Sequence, residues 1–87
     1  MEFEYDPDKS EANRAKHGID FSQAKSLWLD PNRVEFVARF SDEDRFGLIG
    51  SFGGKLWAAI FTIREGKIRI ISVRRARENE TQTYHER

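Results

Sequence analysis

At 87 residues the chain is the size of one domain, spanning 1–87, with one modest core and little room for a deep enclosed pocket. It has no cysteine, which excludes disulfides and thiolate metal sites, and its two histidines, His17 and His85, stand far apart, which argues against a metal centre. Fifteen Lys and Arg balance fifteen Asp and Glu, so a chain that is 34% charged is formally neutral, a balance that suggests segregated patches or a charged partner. No apolar run reaches membrane-spanning length, and Met1-Glu2-Phe3-Glu4 lacks the basic and apolar regions of a signal peptide. The expectation is a soluble, cytoplasmic protein.

Residues 2–5 alternate polar and aromatic, as an edge strand does. Asp6-Pro7-Asp8 then reads as a helix start: Asp6 can cap, Pro7 suits the first helical position, and Asp8 suits the positive helix end. This helix should run to about His17 and stop at Gly18. Its apolar content is thin, chiefly Ala12 and Ala15, so it must lean on its neighbours. A second helix should start at Asp20, where Asp20 and Gln23 have capping-box spacing and Ile19 can staple onto Ala24. Phe21, Ala24, Leu27 and Trp28 fall on one helical stripe and read as core, and Asp30-Pro31-Asn32 ends the helix.

From Arg33 to Phe40 the pattern changes to period two, with Val34, Phe36, Ala38 and Phe40 on one face. Ser41-Asp42-Glu43-Asp44 reads as an acidic turn. Arg45 opens the next strand, and Gly53-Gly54 is a strong hairpin signal. The nearly all-apolar run from Lys55 to Ile63 reads as a central strand, and Glu65-Gly66 turns the chain into a strand from Lys67 to Val73. The tail, about Arg75 to His85, has helical composition but almost no apolar face. The expected fold is α+β: an antiparallel sheet, made of an N-terminal strand plus a four-strand meander, with two N-terminal helices packed on one face and a short polar C-terminal helix.

Charge is concentrated near the end. Between positions 64 and 77 the cations Arg64, Lys67, Arg69, Arg74, Arg75 and Arg77 face a single acid, Glu65. A buried strand, Arg69-Ile70-Ile71-Ser72-Val73, that exits into Arg74, Arg75 and Ala76 offers a fixed anion-binding edge, and guanidinium groups fork onto phosphate oxygens. Strand ends are also charged merely to stay wet. Lys16-His17-Gly18 puts a lysine and an imidazole at a helix C-terminus, where the dipole favours cations and where a histidine can equally be a simple cap.

No metal-ligand cluster, glycine-rich phosphate loop or serine triad is present. Cleaving RNA through its own 2′-hydroxyl needs little equipment: a group acting on that hydroxyl, a cation at the phosphate, and a proton for the leaving 5′-oxygen. Arginines, one histidine and a tyrosine on a shallow sheet surface suffice for that. The same set also describes a passive RNA-binding surface. The residues alone do not decide between a nuclease and a non-catalytic RNA- or protein-binding module.

Nearly the whole chain resembles one family. The carriers are Tyr5-Asp6-Pro7-Asp8-Lys9, the run from Asn13 through Lys16-His17-Gly18, Asp20-Phe21 with Ala24, Asp30-Pro31, Asp44-Arg45, Gly50, and the block from Arg69 to Ala76 followed by Glu80 and Tyr84. Taken in order they resemble the BrnT toxins of type II toxin–antitoxin systems. Many relatives have tryptophan where this chain has Tyr5, and Glu-Arg where it has Asp44-Arg45. The resemblance implies a RelE-like fold, metal-independent ribonuclease activity on mRNA with no cofactor, and neutralisation by a BrnA-type antitoxin. It also implies that the antitoxin alone touches operator DNA and that two toxins assemble with two antitoxins. On this reading His17, Arg74, Arg75 and Tyr84 are the catalytic candidates, with Lys16, Arg45 and Arg64 as substrate-binding cations. Glu80 is expected to pair with Arg77 or another arginine and Arg69 with an N-terminal acid such as Glu4 or Asp6, while Arg45 can equally pair with Asp42 or Glu43 across the turn instead of binding substrate.

Overall fold

Two tight turns set the frame of the sheet. Gly53-Gly54 and Glu65-Gly66 all lie in left-handed backbone, with φ of 62°, 76°, 52° and 77°, the geometry that lets a two-residue hairpin match the twist of its strands. They link β3 (Arg45–Phe52), β4 (Lys55–Arg64) and β5 (Lys67–Arg75) into consecutive hairpins. In the computed structural model, which describes residues 1–39 and 43–86, β2 (Val34–Arg39) adds antiparallel to β3, and β1 (Phe3–Glu4) adds to β5. The order is β1-β5-β4-β3-β2. Phe40, Ser41 and Asp42 lie outside the described residues, and with them the expected place of Phe40, part of the acidic turn and an Arg45–Asp42 pair.

The meander is as expected, but β1 runs parallel to β5, so the sheet is mixed rather than wholly antiparallel. A parallel neighbour requires a crossover, and here the N-terminal helices and the rest of the meander supply it. The first helix, α1 (Pro7–His17), begins as its residues dictate: Asp6 accepts from the Asp8 N–H at 2.8 Å, and Gly18 ends it at φ 87°. The capping box also forms, with the Gln23 N–H donating to Asp20 at 2.7 Å and the Asp20 N–H donating to Gln23 at 3.0 Å. The second helix is shorter than its stripe suggests. It makes one turn, α2 (Phe21–Ala24), and continues as a 3-10 helix over Lys25–Leu29. Tightening of this kind is common at helix ends, and Pro31 forbids continuation.

One sheet face carries the core. Ile19, Phe21, Ala24, Leu27 and Trp28 pack on Leu48, Ala59, Phe61, Ile70 and Val73. Trp28 sits edge-on between Phe3 and Phe61, each ring centroid 5.1 Å away, a favoured aromatic geometry. Backbone and sheet come close at Gly50, where a Cβ would stand 3.0 Å from the Leu27 carbonyl oxygen and 3.2 Å from its Cβ. Even a Cβ there would require the 3-10 segment to give by a few tenths of an ångström.

The first helix docks differently from its composition. Ala12 and Ala15 are exposed, and Ser10 and Asn13 are the buried residues. Asn13 donates to the Val73 carbonyl at 2.9 Å and to the Ile19 carbonyl at 2.8 Å, and accepts from the Val73 N–H at 3.1 Å. Its amide thus takes the place of a neighbouring strand where short β1 leaves β5 uncovered. Ser10 accepts from the Phe21 N–H at 2.9 Å. Hydrogen bonds, rather than apolar burial, hold this helix to the fold.

The polar third helix, α3 (Glu78–His85), lies over the opposite sheet face, where Asn79, Glu80 and Thr83 line a shallow pocket with Val34, Phe36 and Ile49. Among the described residues no helix is long and apolar enough to cross a membrane.

Candidate functional site

The basic exit of β5 is shaped by a bulge. Phe61 pairs with Ile70 but Ile60 pairs with Ser72, which leaves Ile71 as an extra residue. Side chains alternate along a strand, so one extra residue reverses which face each later one joins. Ile68, Ile70 and Val73 therefore all reach the core, and Arg75 shares their face. Its guanidinium carbon lies 5.6 Å from the ring centroid of its cross-strand partner Trp57. Arg74 pairs with Ala58 and turns to the other face.

There Arg74 meets α3. Its two terminal nitrogens donate to the two oxygens of Glu80 at 2.8 and 3.0 Å, the two-pronged geometry that makes arginine–carboxylate pairs strong. Glu80 also accepts from the Arg77 N–H at 2.8 Å, which starts the helix. The hydrogen bonds from Arg74 are the main reason that the Glu80 carboxyl is held below its ordinary range, against the opposing effect of its burial. The expected partner class for Glu80 is correct. The two arginines expected to form an anion-binding edge leave the strand on opposite faces, and Arg74 is engaged by a carboxylate.

Tyr84 fastens the other end of α3. Its hydroxyl donates to Asp30 at 2.6 Å, and the same Asp30 oxygen accepts from the Ser51 N–H at 2.8 Å. The hydrogen bond to Asp30 pushes the phenol above its ordinary value. At Asp30 burial alone would raise the carboxyl, but hydrogen bonds from Tyr84, Asn32 and Ser51, with the charge of Arg33, prevail and lower it.

The register shows where α1 ends. β1 is level with Ile68 and Arg69, and Asn13 is bonded to Val73, farther along β5. The first helix therefore climbs beside β5 in the same direction. His17 follows Asn13 by four residues, about 6 Å of helix, and Arg75 follows Val73 by two, about 7 Å of strand. The last turn of α1, with exposed Lys16 and half-buried His17, is carried to the end of the sheet at which Arg75 emerges. Among the described residues, Lys16 and Arg75 are in no ion pair.

Arg45 and Arg64 stand elsewhere. Arg64 pairs with Lys67 at the opposite end of β4, six residues from Ala58 and so roughly 20 Å along the strand. Arg45 opens β3 at that same end, and its Nε is buried without a hydrogen-bond partner among the described residues. Arg69 pairs with Glu4 at 2.9 Å, as expected. The register directs the end of α1, with Lys16 and His17, toward the end of β5 that carries Arg75, while Arg74 and Tyr84 are engaged in holding α3 and Arg45 and Arg64 stand at the opposite end of the sheet.

Three residues acquire roles that their sequence context understated. Asn13 is the docking amide, Asp30 is the anchor for α3, and Trp57 backs Arg75. The sequence signal for Trp57 was a hairpin register counted back from Glu65-Gly66, but without the bulge that count sets Trp57 opposite Arg74.

No curated protein sequence matches the chain. A family model described as ribonuclease toxin, BrnT, of type II toxin-antitoxin system matches residues 5–80, a span that takes in α1, the whole meander, the Arg75–Trp57 pair and the first turn of α3. By that match the chain belongs to the BrnT family of ribonuclease toxins.

Proposed function

We propose that the protein is an endoribonuclease that cuts mRNA without a metal ion, through attack of the RNA's 2′-hydroxyl on the neighbouring phosphate, at the end of the sheet where α1 and β5 finish. The observation that supports this reading is the Asn13–Val73 clamp, which ties α1 to β5 four residues before His17 and two before Arg75. In the reaction the 2′-oxygen gives up its proton as it bonds to phosphorus. The 5′-oxygen leaves and takes up a proton, so the products are a 2′,3′-cyclic phosphate and a 5′-hydroxyl. His17 is the proton-transfer group. Arg75 steadies the charge that builds on the phosphate oxygens, and Lys16 holds the backbone nearby. Arg74 and Tyr84 serve the site through α3, whose position they fix. Arg45 and Arg64 lie too far away to share a phosphate with Arg75 and would meet a different part of a bound strand.

Membership in a type II toxin–antitoxin family means that the chain has an antitoxin partner. The resemblance supports a BrnA-type antitoxin in a 2:2 complex, with operator DNA contacted only through it, a RelE-like relationship for the fold, and action in the cytoplasm. The test is purified protein incubated with RNA and a chelator. Fragments ending in cyclic phosphate, slowed about a hundredfold by His17→Ala, support the reading. RNA that is bound but intact returns the protein to the class of binding modules.

A further inference from the structure

We propose that Arg75, backed by Trp57, is the platform on which an unpaired nucleobase of the RNA stacks, so that the site grips its substrate by a base as well as by phosphates. The inference rests on the ribonuclease reading and concerns how the same site holds the strand.

Four observations lead to it. The bulge at Ile71 hands Arg75, not Arg74, to Trp57, and the guanidinium carbon sits 5.6 Å from the indole centroid. The backing is rigid: Trp57 is only 5% exposed, and its Nε1–H donates to the Phe52 carbonyl at 3.0 Å. Arg75 itself is exposed and in no ion pair among the described residues, whereas its neighbour Arg74 has both prongs on Glu80. Finally, the platform belongs to the sheet end that receives Lys16 and His17.

The chemistry then follows from the guanidinium group. It is flat, weakly hydrated and charged at all relevant pH. It lies within cation–π range of an aromatic ring, an attraction that restrains its many rotamers. The side turned to solvent offers a planar cationic surface, and unpaired RNA bases stack on surfaces of that kind. Lysine at this position would keep the charge and lose the plane.

The experiment uses the full chain with short fluorescent RNAs whose riboses are 2′-O-methylated, so that they bind without being cut. One probe carries all its bases and the other has an abasic stretch in an identical backbone. Wild type should bind the complete probe about tenfold more tightly, the effect of one stacked base. Arg75→Lys should bind both probes alike, near the wild-type affinity for the abasic one, with its thermal midpoint unchanged. Equal binding of the two probes by wild type, or a persisting difference in Arg75→Lys, overturns the platform while leaving cleavage of unmodified RNA by wild type to support the ribonuclease reading. Wild-type protein that binds neither probe and spares unmodified RNA overturns both.

Discussion

Arg74 and Arg75 are consecutive residues that stand back to back across the sheet, one gripping Glu80 under α3 and the other within cation–π range of Trp57 beside the core. Alternation along the strand separates the two, and the extra residue in β5, Ile71, decides that Arg75 and not Arg74 joins the face of Trp57. The division separates two tasks. Arg74 holds the C-terminal helix in place, and Arg75 remains available to a polyanion.

If Arg74 is a structural clamp, its loss should be felt in stability. Glu80→Ala leaves a half-buried guanidinium without its carboxylate, and Arg74→Ala leaves a largely buried carboxylate without its cation. Each should lower unfolding free energy by about 1–3 kcal/mol. The double variant should cost less than the sum, because the two residues act as a pair. Urea unfolding of the four proteins measures this directly.

The same contacts set a pH window. Glu80 and Asp30 are held below their ordinary values of 4.5 and 3.8. Their stabilisation is complete above those values and is lost as pH falls through the lower folded-state values. Tyr84 is raised above 10.0. Its contribution is present below that pH and disappears as pH rises through the higher folded-state value, when the phenol can no longer donate to Asp30. Hydrogen exchange in α3 should accordingly be slowest, after correction for intrinsic rates, between these limits. The gap between wild type and Glu80→Ala should shrink in acid.

Tyr84→Phe removes one donor and leaves Asp30 with its backbone partners, so it should cost about 0.5–1.5 kcal/mol. Asp30→Ala should cost more, because Ser51 and Asn32 lose an acceptor as well. Thermal midpoints of the two variants check the order. Equal midpoints would show that the backbone contacts of Asp30 contribute nothing.

Asn13 supports both fold and site. Asn13→Ala strands the Val73 N–H and carbonyl and the Ile19 carbonyl, an expected loss of about 2–4 kcal/mol. RNA cleavage should fall even where the variant is still folded, because the end of α1 is no longer tied to β5. Activity and folded fraction measured at one temperature separate the two effects.

The architecture was legible where local chemistry acts alone. Asp6-Pro7, Gly18, the Asp20–Gln23 box, Gly53-Gly54 and Glu65-Gly66 each specify a local geometry, and each forms. The site was less legible because it depends on register. A bulge is a single unpaired residue with no composition of its own, so nothing in Arg69-Ile70-Ile71-Ser72-Val73 announced that Ile71 would be extra. Ala12 and Ala15 drew attention as the apolar part of α1, yet the helix buries Ser10 and Asn13, whose partners are backbone groups far away in sequence. Long-range hydrogen bonds of this kind leave no periodicity to read.

The central claim is that the chemistry sits at the α1–β5 end of the sheet and not at the end bearing Arg45 and Arg64. RNA cleavage rates of Arg75→Ala and Arg64→Ala, compared side by side in the presence of a chelator with both proteins shown to be folded, test it most directly. A loss of about a hundredfold for Arg75→Ala, with Arg64→Ala within about threefold of wild type, is the predicted result. Wild-type cleavage by Arg75→Ala together with a crippled Arg64→Ala would contradict the account.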